Sequence, residues 1–232
     1  MDLLTLFEKF ALTLRYHATL NPKIWQNKKL DDKFQQQLVK IAYDFAKFSG
    51  VDKKRIRDMV FTGSNVNYNY TKFSDIDIHI VTDISGLDED ALYDKKVKWT
   101  AKHKLEHNGY PLEFYIHDQK QDLPDDQGQY SILQSMWVAD PKKIPNAKKI
   151  LSNPATLTKV EHYIKIVQDL LKGKDNDDDI ISFKMKMWKG RTAGLHSGGE
   201  FSVENIIYKD LRNRGLIDKL NKKLHKEDSD SN

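Results

Sequence analysis

Apolar residues recur along this chain at two spacings, and the alternation between them divides it into parts. Leu3, Phe7, Phe10 and Leu14 stand at helical spacing and predict a first helix over Leu3 to Tyr16. Leu20 to Leu30, with Asn21-Pro22 and Trp25, reads as a loop. A second helix follows, capped by Asp31 or Asp32, with Phe34, Leu38, Ile41, Ala42, Phe45 and Phe48 as its buried stripe and Gly50 as its stop. The spacing then changes to two. Met59 to Thr62 predicts one strand and Ile76 to Thr82 another, while Asp88 to His107 predicts a long charged helix closed by Asn108-Gly109. Tyr110 to Asp118 alternates again, with Leu112, Phe114 and Ile116 on one side and Glu113, Tyr115 and His117 on the other. Tyr130 to Val138 predicts one more strand or strand-turn.

From Ala155 onward the helical spacing returns. One helix spans Thr156 to Lys172, and another runs from the acidic Asp175 to Asp179 as far as Ala193. Gly194 to Gly199 reads as a turn. Ser202 then caps a helix to Asn213, with Phe201 and Ile206 as a hydrophobic staple and Gly215 as its end, and Lys226 to Asn232 is a polar tail that frays. The expected fold is therefore α+β. A small mixed sheet sits in residues 1–146 with helices before it, and residues 147–232 form a helical region, with the active cleft between the two.

The totals narrow this picture. A chain of 232 residues, 39% hydrophobic and 31% charged, has the length to bury a core while keeping well-solvated helix faces. There is no cysteine, which excludes disulfides, zinc-thiolate sites and thiol catalysis. Met1 to Tyr16 lacks a basic n-region and a cleavage site, so it is not expected to be a signal peptide, and no apolar run approaches a membrane span. A formal charge of +4 does not by itself imply nucleic acid.

The chemistry concentrates in Val60 to Asp83, VFTGSNVNYNYTKFSDIDIHIVTD. Asp75, Asp77 and His79 share one strand face. Two neighbouring carboxylates repel unless something offsets them, and a hard divalent cation with oxygen ligands suits that task. Gly63-Ser64 at a strand end offers a phosphate close backbone approach, an outward N–H and a hydroxyl. Glu113, on the acid-then-His face of the later strand, supplies a third carboxylate. Tyr68 and Tyr70 in the spacer offer rings that could stack on a base, although loop tyrosines more often simply pack, and Lys72 could meet a phosphate.

Gly63-Ser64, the spacer, Asp75-Ile76-Asp77 on a strand, a helix and then Glu113 on another strand resemble the DNA polymerase β-type nucleotidyltransferase superfamily. The flanks Leu20-Asn21-Pro22-Lys23-Ile24-Trp25 and Thr62 to Tyr70, with Arg191 to Leu195, Gly198 to Asn205 and Leu211-Arg212, resemble a family of nucleotidyltransferases common in bacteriophage genomes. The resemblance implies that Asp75 and Asp77 bind two magnesium ions, for which manganese can substitute. Glu113 would bind the catalytic ion and help activate an acceptor hydroxyl, and Gly63 and Ser64 would hold the triphosphate of an NTP. It implies transfer of a nucleoside monophosphate to an RNA end, a protein, a small molecule or a second nucleotide, with release of pyrophosphate. It also implies a cytoplasmic protein, in a host's cytoplasm where phage-encoded. The chain departs from the superfamily in its Asn- and Tyr-rich spacer, where Lys72 is the one cation, and in having Glu rather than Asp as third acid.

Other readings compete. A non-catalytic nucleotide- or metal-binding module on the same fold is the alternative, and a lysine-based nucleic-acid binder with salt-dependent affinity is a third. Arg191, Lys209 and Arg212 line the cleft from the helical side or make surface salt bridges. His103-Lys104-Leu105-Glu106-His107 matches the His-x-x-Glu-His zinc pattern, but a solvated helix face explains it better. Asp175 to Asp179 starts like a calcium loop and then lacks its Gly and Glu. Gly198-Gly199 precedes no Lys-Ser/Thr and reads as a helix-helix turn. His79 and His117 read as ordinary hydrogen-bonded histidines beside the acids.

Overall fold

Strand alternation places Ile76, Ile78 and Ile80 on one side of a central strand, and all three are fully buried. The computed structural model that contains this strand describes residues 17–142, 153–173, 177–199 and 202–230. Those residues form a mixed α+β protein with six α-helices, divided into a unit within Tyr16–Lys143 and a helical unit within Ile144–Asn232. No helix among the described residues is long and apolar enough to cross a membrane.

In the first unit the strands are β1 (Trp25–Gln26), β2 (Lys29–Leu30), β3 (Ile56–Thr62), β4 (Ile76–Thr82), β5 (Glu106–His107), β6 (Tyr110–Asp118), β7 (Gln129–Ser131) and β8 (Met136–Ala139). The main sheet has the order β5-β6-β4-β3-β7-β8. Its one parallel pair, β4 with β6, is joined by a crossover containing α2 (Glu89–His103), because parallel neighbours cannot be linked by a tight turn. Against one face packs α1 (Asp32–Ser49). Asp31 caps it by accepting from Phe34 N–H at 3.0 Å, and Gly50 ends it at φ 82°. Phe34, Leu38, Ala42, Phe45 and Ala46 meet Met59, Phe61, Ile76, Ile78, Ile80 and Phe114 in one core. Phe48, expected in the buried stripe, is 42% exposed, because the stripe turns toward Ala46 and Ser49 instead.

Several local expectations are corrected. The predicted loop Leu20 to Leu30 contains the hairpin β1–β2, turned at Asn27 and Lys28 with positive φ. Trp25 on this hairpin is buried among Phe61, Tyr130 and Trp137, a contact that periodicity cannot reveal. The charged helix stops at His103 rather than His107. Lys104 takes the left-handed conformation, and Glu106-His107 pairs with Tyr110 and Pro111 as a strand. Tyr130 to Val138 is a pair of antiparallel strands, not one.

The helical unit comprises α3 (Pro154–Lys172), α4 (Asp177–Gly198), α5 (Val203–Asn213) and α6 (Leu216–Asp230) around Val160, Ile164, Val167, Ile180, Phe183, Ile206, Ile207 and Leu211. The turn expected at Gly194 is helix. A Cβ on Gly194 would lie 2.7 Å from Ser202 Oγ and 3.1 Å from Glu204 Cβ, so glycine there lets α4 pass close to the start of α5 rather than ending it. Ser202 caps α5 by accepting from Asn205 N–H, and Gly215 follows it at φ +69°. The backbone of α6 extends to Asp230, through most of the predicted tail. The first helix, the Phe201 half of the staple and Asp175 lie outside the described residues.

Candidate functional site

The face of the sheet opposite α1 is polar at its centre because β4 alternates. Asp77 and His79 stand on that face, with Asp75 just before the strand. In the parallel register Asp77 lies beside Glu113, His79 beside Tyr115 and Val81 beside His117. In the antiparallel register on the other side, Thr62 lies beside Asp77. Chain order alone puts Glu113 far from the aspartates; the β4–β6 pairing brings it next to them.

Gly63 follows β3 at the level of Asp77. It has φ 86° and ψ −170°, a conformation for which glycine is suited. A Cβ built on it would lie 2.5 Å from Asp77 Oδ2, so the backbone here runs directly against the carboxylate. Its N–H, read from the sequence as pointing outward to a phosphate, donates to Gln127 Oε1 at 2.8 Å. Ser64 Oγ is bonded to Ser74 Oγ at 2.6 Å.

The electrostatics follow from crowding. Asp77 is held well above the ordinary carboxylate range, by burial first and then by the charges of Asp75 and Glu113 and a hydrogen bond with Asp75; Lys96 offsets part of this. Lys96, on α2, reaches Glu113 Oε2 at 2.7 Å, with side chains 19% and 26% exposed. Its ammonium also lies 4.5 Å from the centre of the Tyr115 ring. The Tyr115 hydroxyl donates to the same Glu113 oxygen at 2.6 Å. Burial, then Asp77 and Glu113, push Tyr115 far above the usual phenol range, so it stays a donor. His79 stacks on Tyr115 at 4.9 Å and meets His117 edge-on at 5.4 Å.

Burial and then His117 lower the His79 pKa to about 4 from 6.5. The folded protein therefore holds this ring neutral where the unfolded chain would protonate it. Its contribution to stability is complete above about pH 6.5 and is lost as pH falls toward 4. The expected loss is about 3 kcal/mol at most. The difference in urea midpoint between wild type and His79→Gln, followed from pH 7.5 to 4, should show it separately from the opposite trend that the raised Asp77 pKa imposes on both proteins.

The spacer, whose tyrosines read as packing or as stacking on a base, is built on asparagines. Buried Asn65 donates to the Asp75 carbonyl at 2.8 Å and accepts from Asn21 Nδ2 at 2.8 Å, while its own carbonyl receives Trp25 Nε1 at 2.6 Å. Asn67 bonds the Gly63 carbonyl and accepts from Gly128 N–H and Lys142 N–H. These bonds fix the path from Gly63 to Asp75. Asn65→Ala should cost about 3 kcal/mol, because it strands buried partners as well as losing bonds, and the unfolding midpoint in urea should fall accordingly.

Tyr70 has His17 stacked on its ring at 3.8 Å, and Lys72 is exposed beside the Phe73 ring at 4.8 Å. Arg191 belongs to the helical unit, where it donates to Asn205 Oδ1 at 3.0 Å and lies over Tyr208; Lys209 is on α5. His103 and His107 are separated by the helix end, and His107 stacks on Phe34 at 3.5 Å, so the zinc pattern has no helical turn to bring its histidines together. Asp177, Asp178 and Asp179 occupy the first turn of α4, where the helix dipole favours acids.

Sequence reasoning missed Lys96, Tyr115 and Gln127. The signal for Lys96 was available as a requirement, since three clustered acids call for a cation. Its identity was not, because several lysines share that helix.

As to metal, the donors are all hard oxygens, and the cluster of Asp75, Asp77 and Glu113 has the Lys96 ammonium at its Glu113 end. That surplus of negative charge fits magnesium at the aspartate pair. Among the described residues, however, no three His, Asp or Glu side chains are arranged to hold an ion, and Glu113 is engaged by Lys96 and Tyr115. Comparison with protein-family models, with curated proteins and with solved structures finds no match for this chain.

Proposed function

We propose that this protein is a metal-dependent nucleotidyltransferase of the polymerase β type, moving a nucleoside monophosphate from an NTP to a hydroxyl. The observation that carries the reading is the side-by-side placement of Asp77 and Glu113 on parallel strands, with Gly63 backbone packed on the Asp77 carboxylate.

In this reading Asp75 and Asp77 would hold magnesium, which when bound would supply positive charge for the attacking and departing oxygens. Gly63 and Ser64 sit where the triphosphate would lie, exchanging the bonds to Gln127 and Ser74 for bonds to phosphate. Glu113 takes the proton of the acceptor hydroxyl as the new oxygen–phosphorus bond forms. The bond between the α- and β-phosphates breaks, and pyrophosphate leaves. Tyr115, fixed as a donor, orients Glu113. The raised Asp77 pKa also supports the reading, because a site that stores unfavourable charge is one that a cation relieves.

The alternative, a module that binds nucleotide without turnover, draws support from the Lys96–Glu113 pair, which occupies the general base. Incubation with α-labelled NTP, magnesium and candidate acceptors decides between them. Transfer of label with pyrophosphate release is expected. Saturable NTP binding with no release would favour the module.

A further inference from the structure

Beside the third acid lies a cavity of about 160 Å³ that the nucleotide reading leaves unused. Its lining includes Lys96, Tyr115, His117, Tyr93, Glu89 and Asp118. A cavity of about 150 Å³ accommodates one benzene-sized ring, so this volume suits a single ring. Tyr115 and Tyr93 supply aromatic surface, and Tyr93 is 59% exposed, leaving its ring available to an entering molecule.

Charge is distributed unevenly around it. Lys96 is the cation of the lining, whereas Glu89 and Asp118 are acids. Glu89 and Asp118 repel a ligand anion, and Glu113 already sits on Lys96, so an anionic ring enters with its charge toward Lys96 and competes with Glu113 for that ammonium. Lys96 is the same ammonium that holds Glu113 Oε2 at 2.7 Å, and its three donors sit on a flexible stem. The cavity and the Asp75–Asp77–Glu113 cluster thus share one side chain.

We propose that this cavity binds a small ring compound bearing a carboxylate or phosphate, and that its anion draws Lys96 away from Glu113. Glu113 then keeps its bond from Tyr115 but loses its counter-charge, so its negative charge adds to that of the aspartate pair and strengthens that pair's attraction for a cation. Binding of this ligand is thereby coupled to metal binding. Coupling of this kind is reciprocal: whatever the ligand does for the metal, the metal does for the ligand. The coupling to metal rests on the proposed function; the cavity's ligand preference does not.

The test uses the full chain and four probes by calorimetry: 4-hydroxybenzoate, phenol, inorganic phosphate and benzylamine. 4-Hydroxybenzoate is expected to bind at least about tenfold more tightly than the other three, because it alone combines ring and anion. Lys96→Met should remove that advantage and Lys96→Arg should retain most of it. Tyr93→Ala, at an exposed position, should weaken the ring probes several-fold without disturbing the fold. Manganese affinity, followed by electron paramagnetic resonance, should tighten about tenfold at saturating 4-hydroxybenzoate, and also in Lys96→Met without any probe.

Tighter binding of benzylamine than of 4-hydroxybenzoate, or equal probe affinities in wild type and Lys96→Met, would overturn the ligand assignment. An unchanged manganese affinity would overturn the latch. If the probes behave as expected and no NTP turnover is found with any acceptor, the transferase reading fails while the cavity assignment stands.

Discussion

Replacing Asp75 and Asp77 together by asparagine is expected to abolish the proposed nucleotidyl transfer and, at neutral pH, to make the protein more stable. The loss of activity should reach about a thousandfold or more, since several kcal/mol of charge stabilisation would go with the ion that the pair is proposed to hold. The gain in stability has a separate cause. Asp77 has its pKa raised by burial and by the charges of Asp75 and Glu113, so the folded state binds a proton there more tightly than the unfolded chain does. That contribution is fully present below the ordinary value of 3.8 and is lost as pH rises through the higher folded value. Asparagine carries no charge to titrate, and the double variant should not show this decline.

Relief of about 1 kcal/mol corresponds to a rise of roughly 4 °C in the melting temperature of a domain of this size. Calorimetry at pH 7.5 measures it directly. Magnesium adds a second arm. Saturation at a hundred times its dissociation constant should stabilise the wild type by about 2.7 kcal/mol and leave the variant unmoved. A double variant that still releases pyrophosphate from NTP would sink the enzyme reading. One that melts lower than wild type would contradict the picture of stored repulsion.

Gly63→Ala is expected to damage fold and site together. The new methyl would lie 2.5 Å from Asp77 Oδ2, and the backbone would have to keep φ 86° with a side chain attached. The conformation alone costs about 1–3 kcal/mol. Because Asp77 belongs to the central strand, the conflict is settled by moving either the Gly63 turn or the carboxylate. A shift of about 1 Å in a reacting group is enough for roughly a hundredfold in rate. Urea unfolding and single-turnover transfer on the same preparation separate the two effects. Wild-type stability in Gly63→Ala would mean that this close approach is not a feature of the protein in solution. Ser64→Ala is the companion measurement, because it loses the bond to Ser74 without adding any bulk.

The local part of this structure was legible in the chain. Period-two alternation set Ile76, Ile78 and Ile80 against Asp77 and His79, because successive side chains on a strand point to opposite faces whatever the strand packs against. Asp31 and Gly50 bounded α1, and Ser202 opened α5, because a cap acts on backbone groups within one turn. The same local logic failed at Gly194. Glycine there answers to Ser202 and Glu204, which approach from the next helix, and nothing in its own neighbourhood in sequence reports them.

Tertiary structure decided what the acids stand beside. The β4–β6 register sets Asp77 against Glu113, and it depends on how a crossover of many residues folds back, which composition and spacing leave open. It also turned Lys96 toward Glu113 and laid Tyr115 under both. Asn65 and Asn67 became buried struts instead of loop polar residues, since their partners Asn21, Asp75 and Gly128 come from three different parts of the chain. A side chain's face is written within a few residues of it, whereas its counter-charge comes from whichever distant segment the packed core places alongside.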